Sequence, residues 1–170
     1  MTPLQTTYNG VKYRSRTEAR WAVFFESMGV KFIYEPEGYN LDGVMYLVDF
    51  FVPDWNAYFE VKNSNRLSDD EIDKAKRLSA ASGIWLVIVN GTPSAHEAAL
   101  ILRGGKLYQG EIMTCRRCEN ITVSNGLGGY QELSKEACQR IDCGDRQPTP
   151  NELFKQAIAA SANERFGVHA

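Results

Sequence analysis

Asp49, Glu60 and Lys62 set two acids and an ammonium within fourteen residues of one another. They fall in the run Val48-Asp49-Phe50-Phe51-Val52-Pro53-Asp54-Trp55-Asn56-Ala57-Tyr58-Phe59-Glu60-Val61-Lys62. Val, Phe and Tyr favour extended backbone, while Pro53, Asp54 and Asn56 supply turn chemistry, so the run reads as two strands joined by a tight turn. With a loop made of Asp54 and Trp55, Asp49 lies opposite Glu60. Facing carboxylates, their Cβ atoms about 5 Å apart, repel each other unless something positive lies between them. A divalent ion such as Mg²⁺ or Mn²⁺ meets that need, because hard cations take carboxylate oxygens. Side chains alternate along a strand, so Lys62 points to the same side as Glu60. Two acids and an ammonium at one spot are the equipment for metal-assisted hydrolysis of a phosphodiester.

The spacing alone proves little. An acid-x-Lys triplet after an apolar residue arises by composition about once in a chain of this length. A Glu and a Lys on the outer face of a hairpin usually just stay wet. Here Phe59 and Val61 flank the pair, and Asp49 is embedded in Tyr46-Leu47-Val48-Asp49-Phe50-Phe51-Val52, read as one strand. An acid within such a strand is costly to bury unless it is paired or bound to a metal.

The elements that must position these residues can be read on either side. Tyr8-Asn9-Gly10-Val11 has the turn residues of a type I′ hairpin. Ser15 followed by Glu18 is a capping-box start. Trp21, Phe24, Phe25 and Met28 follow at helical spacing, with Gly29 closing the helix. A short strand is expected over Lys31–Tyr34, and a loop over Glu35–Gly43. Leu67-Ser68-Asp69-Asp70-Glu71 opens a second helix with acids in its first turn, and Gly83 ends it. Ile84–Val89 is an apolar run suited to a buried central strand. An antiparallel hairpin followed by a helical crossover implies a mixed central sheet flanked by helices, in the α/β class. Beyond Asn90-Gly91-Thr92-Pro93 the pattern predicts a short helix from about Ser94 to Leu102, then Gly104-Gly105 and a small strand. Gln147-Pro148-Thr149-Pro150 reads as a linker, and Asn151 as the cap of a last helix over Glu152–Arg165. The expected division is a core over 1–110, a cysteine-rich module over 111–146, and the linker with its helix over 147–170.

With 170 residues, 44% of them hydrophobic, the chain can bury one proper core. It shows neither a long apolar run nor a secretory signal pattern, so the expectation is a cytoplasmic protein with no membrane partner. A net charge of −2 argues against a broad DNA-coating surface, though not against a local basic rim around an acidic metal site. The charges segregate along the chain: Lys12, Arg14, Arg16 and Arg20 precede Glu35, Glu37, Asp42, Asp49, Asp54 and Glu60.

The element order, with Glu18, Asp49, Glu60 and Lys62 at these stations, resembles the PD-(D/E)xK nuclease superfamily, whose restriction-endonuclease-like core runs α-β-β-β-α-β. The segment Tyr13-Arg14-Ser15-Arg16-Thr17-Glu18-Ala19-Arg20-Trp21-Ala22 looks like the first helix of small phage and bacterial members, and the match spans roughly residues 8 to 90. Pro53-Asp54 is the literal motif pair, yet Asp54 falls in the turn, so Asp49 is the preferred ligand. The resemblance implies a metal-dependent DNA endonuclease of phage or mobile-element DNA processing, encoded by a phage or its bacterial host. Asp49 and Glu60 would bind Mg²⁺ or Mn²⁺ with the main-chain carbonyl of Val61, and Lys62 would hold the attacking water or stabilise developing charge. Glu18 would bind a second metal or its water shell, although it also serves the capping box; Glu35 is a weaker candidate. Lys12, Arg14, Arg16 and Arg20 could contact DNA phosphates, and Tyr13 and Trp55 could stack on splayed bases. Junction resolution is one sub-reading, with a homodimer as its expected form. A binding module that has lost catalysis, or a nuclease subunit of a larger complex, is the rival reading.

The four cysteines are Cys115, Cys118, Cys138 and Cys143. A CxxC pair followed about twenty residues on by a second pair is a zinc-ribbon spacing, stretched in its second half. The glycine-rich segment between them has little apolar material, so structural Zn²⁺ would have to organise it. Buried free thiols and an iron–sulfur cluster are the alternatives. At such a knuckle, Arg116 and Arg117 would sit where they could touch a DNA backbone.

Overall fold

The computed structural model describes residues 4–63, 67–94, 98–114, 121–124 and 151–167. Its centre is a seven-stranded mixed sheet. The chain begins with a separate hairpin, β1 (Thr6–Tyr8) and β2 (Val11–Tyr13), followed by helix α1 (Arg16–Ser27) and strand β3 (Ile33–Tyr34). A second hairpin, β4 (Tyr39–Leu41) and β5 (Val44–Tyr46), precedes β6 (Phe50–Val52), β7 (Ala57–Lys62), α2 (Asp69–Ser82) and β8 (Trp85–Asn90). Strands β9 (Ala98–Arg103), β10 (Lys106–Thr114) and β11 (Ile121–Ser124) follow, and α3 (Glu152–Asn163) comes last. The sheet order is β11-β10-β9-β8-β7-β6-β3. Among the described strands only β7 and β8 pair in parallel, as a crossover through α2 requires. Among the described residues no helix is long and apolar enough to cross a membrane.

Local chemistry explains the boundaries. The β1–β2 turn places Asn9 and Gly10 at φ +46° and +78°, the left-handed pair that a type I′ turn needs. The Ser15 hydroxyl accepts from the Glu18 N–H at 3.1 Å and starts α1. At its other end Val30 N–H donates to Phe25 C=O and Gly29 N–H to Glu26 C=O, a Schellman closure made possible by Gly29 at φ +70°. Ser68 and Glu71 form a reciprocal capping box at α2.

The two sheet faces hold different cores. On one, α1 and α3 cover Phe50, Val52, Phe59, Val61, Val87 and Ile101. On the other, α2 covers Tyr58, Leu86, Ile88 and Leu102. Phe25 sits at the heart of the first, its ring centroid 5.1 Å from Phe59 and 5.3 Å from Phe50. Tyr13 and Trp55 belong to this core, 1% and 3% exposed. They pack rather than offer themselves to bases, which corrects the stacking expectation.

Three further expectations are revised. The stretch expected to be a helix over 94–102 contains β9 instead. Ala98-Ala99-Leu100-Ile101-Leu102 is too short for period to separate helix from strand. Sheet pairing decides it, because Ile101 fills one core and Leu102 the other. The expected loop over 35–43 and the single strand over 46–52 are broken by the β4–β5 hairpin. There Asp42 and Gly43 take φ +52° and +88°, and Asn40 Oδ1 accepts from Gly43 N–H at 2.7 Å. Asp49 therefore lies just before β6 rather than in mid-strand. The β6–β7 connection is also longer, a 3₁₀ turn over Pro53–Trp55 closed by Asn56 in left-handed conformation.

Candidate active site

The longer turn leaves the pairing unchanged. Register Phe50↔Phe59, Phe51↔Tyr58 and Val52↔Ala57 puts Asp49 and Glu60 opposite each other one step beyond the ladder. Glu60 and Lys62 alternate with Val61 and share a face with Tyr58, the side covered by α2. Asp54 stays in the turn, exposed, accepting from Lys31 N–H at 2.8 Å.

Asp49 is 3% exposed and Glu60 7%. Asp49 Oδ2 accepts from Val61 N–H at 2.7 Å, fixing the carboxylate against β7. Its Oδ1 receives the Arg14 guanidinium in a short ion pair. Burial, and then the Glu60 charge, push the Asp49 carboxyl up to about 7. Burial raises Glu60 as well, against the pull of Lys62. Glu60 Oε1 lies 3.0 Å from Lys62 Nζ, and the Asp49 backbone N–H also favours the Glu60 charge, whereas the buried Oε2 has no hydrogen-bond partner of good geometry among the described residues. Lys62 also lies 3.0 Å from Glu71 Oε1. Burial works against the Lys62 charge, but Glu60 and Glu71 outweigh it and hold its pKa above the ordinary value.

Glu18 reaches the site from the opposite side of the sheet. It is 7% exposed, and its oxygens accept from Ser15 Oγ at 2.8 Å, Tyr34 Oη at 2.6 Å and Arg14 N at 3.1 Å. Arg14 connects it to Asp49. The same guanidinium lies 2.8 Å from Glu35, whose own N–H donates to Asp49 C=O at 2.7 Å. Glu35 does this at φ +46°, a conformation rare for a side chain of its kind and costing roughly 1–3 kcal/mol. Five carboxylates (Glu18, Glu35, Asp49, Glu60 and Glu71) thus share two cations, Arg14 and Lys62.

The structure gathers Arg14, Glu18, Asp49, Glu60, Val61 and Lys62 at one end of the β6–β7 pair. The other early basic residues lie apart from this cluster. Arg20 donates to Ser161 C=O and stacks 5.4 Å from the Phe166 ring centroid, tying α1 to the C-terminal segment. Lys12 and Arg16 are exposed on β2 and at the start of α1. Cys115, Cys118, Cys138 and Cys143, with Arg116 and Arg117, lie outside the described residues. Sequence reasoning missed Tyr34 and Glu71 and undervalued Glu35. Glu71 could have been suspected from its place opposite the crossover after Lys62, whereas no sequence signal marks Tyr34.

Among the described residues no three His, Cys, Asp and Glu side chains form a ready-made cage for an ion. Mg²⁺ does not require one, since it binds through one or two carboxylates and keeps several waters. The buried, unpartnered Glu60 Oε2 beside a facing acid of raised pKa fits such a two-carboxylate site. Comparison with protein-family models, curated proteins and solved structures finds no match for this chain.

Proposed function

We propose that this chain is a divalent-metal-dependent nuclease that hydrolyses phosphodiester bonds of DNA on a restriction-endonuclease-like core. The observation that carries the reading is the buried pair Asp49 and Glu60, facing each other with Lys62 on the same face and Glu60 Oε2 without a partner among the described residues. A buried carboxylate oxygen without a partner costs roughly 1–3 kcal/mol or more, and a ligand for it removes that cost. Asp49 and Glu60 would hold Mg²⁺ or Mn²⁺, with the Val61 carbonyl as a further oxygen. When bound, the ion would lower the pKa of a water and offset charge developing on the phosphate.

The protein's own groups do the rest. Val61 N–H and the β6–β7 register fix Asp49 relative to Glu60. Lys62 stays protonated between Glu60 and Glu71, where it can donate to the attacking water or to a phosphoryl oxygen. The oxygens of Glu18 are already occupied by Ser15, Tyr34 and Arg14, so its role here is to orient those groups. The cysteines would hold structural Zn²⁺, and the cytoplasm of a bacterial cell is the compartment this chemistry suits. The rival reading, a binding module without catalysis, draws its support from Arg14, which already pairs with Asp49 Oδ1.

Cleavage of labelled four-way junction, linear duplex, single-stranded and supercoiled DNA, each with EDTA, Mg²⁺ or Mn²⁺, separates the two. Metal-dependent cutting that Glu60→Ala abolishes supports the nuclease. Folded protein that binds these DNAs but cuts none in either metal supports the binding module.

A further inference from the structure

Arg14 stands where a cation is wanted. Its guanidinium joins Asp49 Oδ1, lies 2.8 Å from Glu35 Oε1 and 3.9 Å from Glu18 Oε2, and so bridges acids from three separate segments. Asp49 Oδ2 is committed to Val61 N–H. Oδ1 is therefore the oxygen that Asp49 can offer to an ion, and Arg14 has it. The arginine is built to leave. Its side chain is 50% exposed, while its backbone is fixed by Arg14 N–H bonds to Glu18 at 3.1 Å and Tyr34 Oη at 3.0 Å. An anchored backbone with a half-exposed side chain allows a swing about the side-chain torsions without loss of the fold.

We propose that Arg14 is a resident stand-in for the divalent ion: it closes the acid cluster in the metal-free protein, gives up Asp49 when the ion binds, and then takes a substrate phosphate. The proposal rests on the nuclease reading above and deepens it. Glu35 is the pivot, because its pair with Arg14 survives the loss of Asp49 and keeps the guanidinium beside the site. A guanidinium freed there presents paired N–H donors suited to phosphate oxygens, which a lysine at the same position would not match. Arg14 is thus a substrate-positioning residue whose availability depends on metal occupancy, so that DNA and metal bind in concert.

The test is the arginine side-chain ¹⁵N–¹H spectrum of the full chain titrated with MgCl₂, beside calorimetry of the same titration. The resonance of Arg14 Nη2, the nitrogen that pairs with Asp49, is identified by its loss in Arg14→Lys. It is expected to move over the same Mg²⁺ range in which heat is released. Arg14→Gln is expected to bind Mg²⁺ about tenfold more tightly or better, since one charge-assisted hydrogen bond no longer has to be broken. Its affinity for metal-loaded complexes with uncut DNA should fall instead. An Arg14 resonance that stays put while calorimetry shows Mg²⁺ saturating would overturn the displacement and leave the metal site standing. Failure of the protein to bind Mg²⁺ at all would remove the metal reading, and this proposal with it.

Discussion

Replacing Asp49 by Asn separates what this carboxylate costs from what it is for. The Asp49 carboxyl is pushed from 3.8 up to about 7, first by burial and then by Glu60. Between those values the folded protein holds a proton that the unfolded chain releases, so stability falls as pH rises through that window. About three pKa units at about 1.4 kcal/mol each bound the penalty at about 4 kcal/mol above pH 7. Asn removes the charge but must turn its amide NH₂ towards either Arg14 or Val61 N–H, a misplaced donor costing about 1–3 kcal/mol. The net is a variant about 2 kcal/mol more stable than wild type at pH 8 without metal, raising Tm by about 4–8 °C. Near pH 3.5 the Asp49 carboxyl is neutral in the folded state and mostly so in the unfolded state. Only the misplaced donor remains, and the variant should melt below wild type. Thermal melts in EDTA at the two pH values read this out directly. A shift of the same sign at both would show that the benefit does not come from relieving a buried charge.

Other expectations follow from neighbouring contacts. Phe25→Ala opens a cavity among Trp21, Phe50, Trp55 and Phe59 and should cost about 3–5 kcal/mol in denaturant unfolding. The Glu71 carboxyl is held down to about 2, first by the Ser68 N–H and then by Lys62. Its stabilising effect is present above the ordinary value and lost as pH falls towards 2. Because its side chain is 39% exposed the effect is small, under about 1 kcal/mol, and Glu71→Gln should flatten the acid limb of a Tm–pH profile. Purified protein should carry about one zinc per chain by elemental analysis, with Cys115→Ser or Cys138→Ser losing it; wild-type protein free of zinc and iron would point to unligated thiols.

Much of the arrangement was legible because it depends on local rules. Ser15, Gly29, Ser68 and Gly83 mark helix ends by capping chemistry that needs no tertiary partner. The Asp49–Glu60 register followed from the placing of turn residues, and it survived an error in loop length because lengthening the turn symmetrically leaves the pairing unchanged. What failed was what tertiary contacts decide. Ala98–Leu102 has helix-forming residues, yet the free edge of β8 and cores on both faces draw it into the sheet. The roles of Glu35, Tyr34 and Glu71 depend on where separate segments meet, which periodicity does not encode. The charge of Arg14 by itself suggests a phosphate contact, and its grip on Asp49 is visible only in the fold.

The most direct test of the central claim puts Mn²⁺ binding and DNA cleavage on the same samples of wild type and Glu60→Gln, a change that preserves volume and removes one carboxylate charge. The variant is expected to stay folded, to bind Mn²⁺ more weakly in electron paramagnetic resonance titrations, and to cut at no more than the level seen in EDTA. Full cleavage by Glu60→Gln, or cleavage by wild type that EDTA leaves intact, would contradict a metal-dependent nuclease.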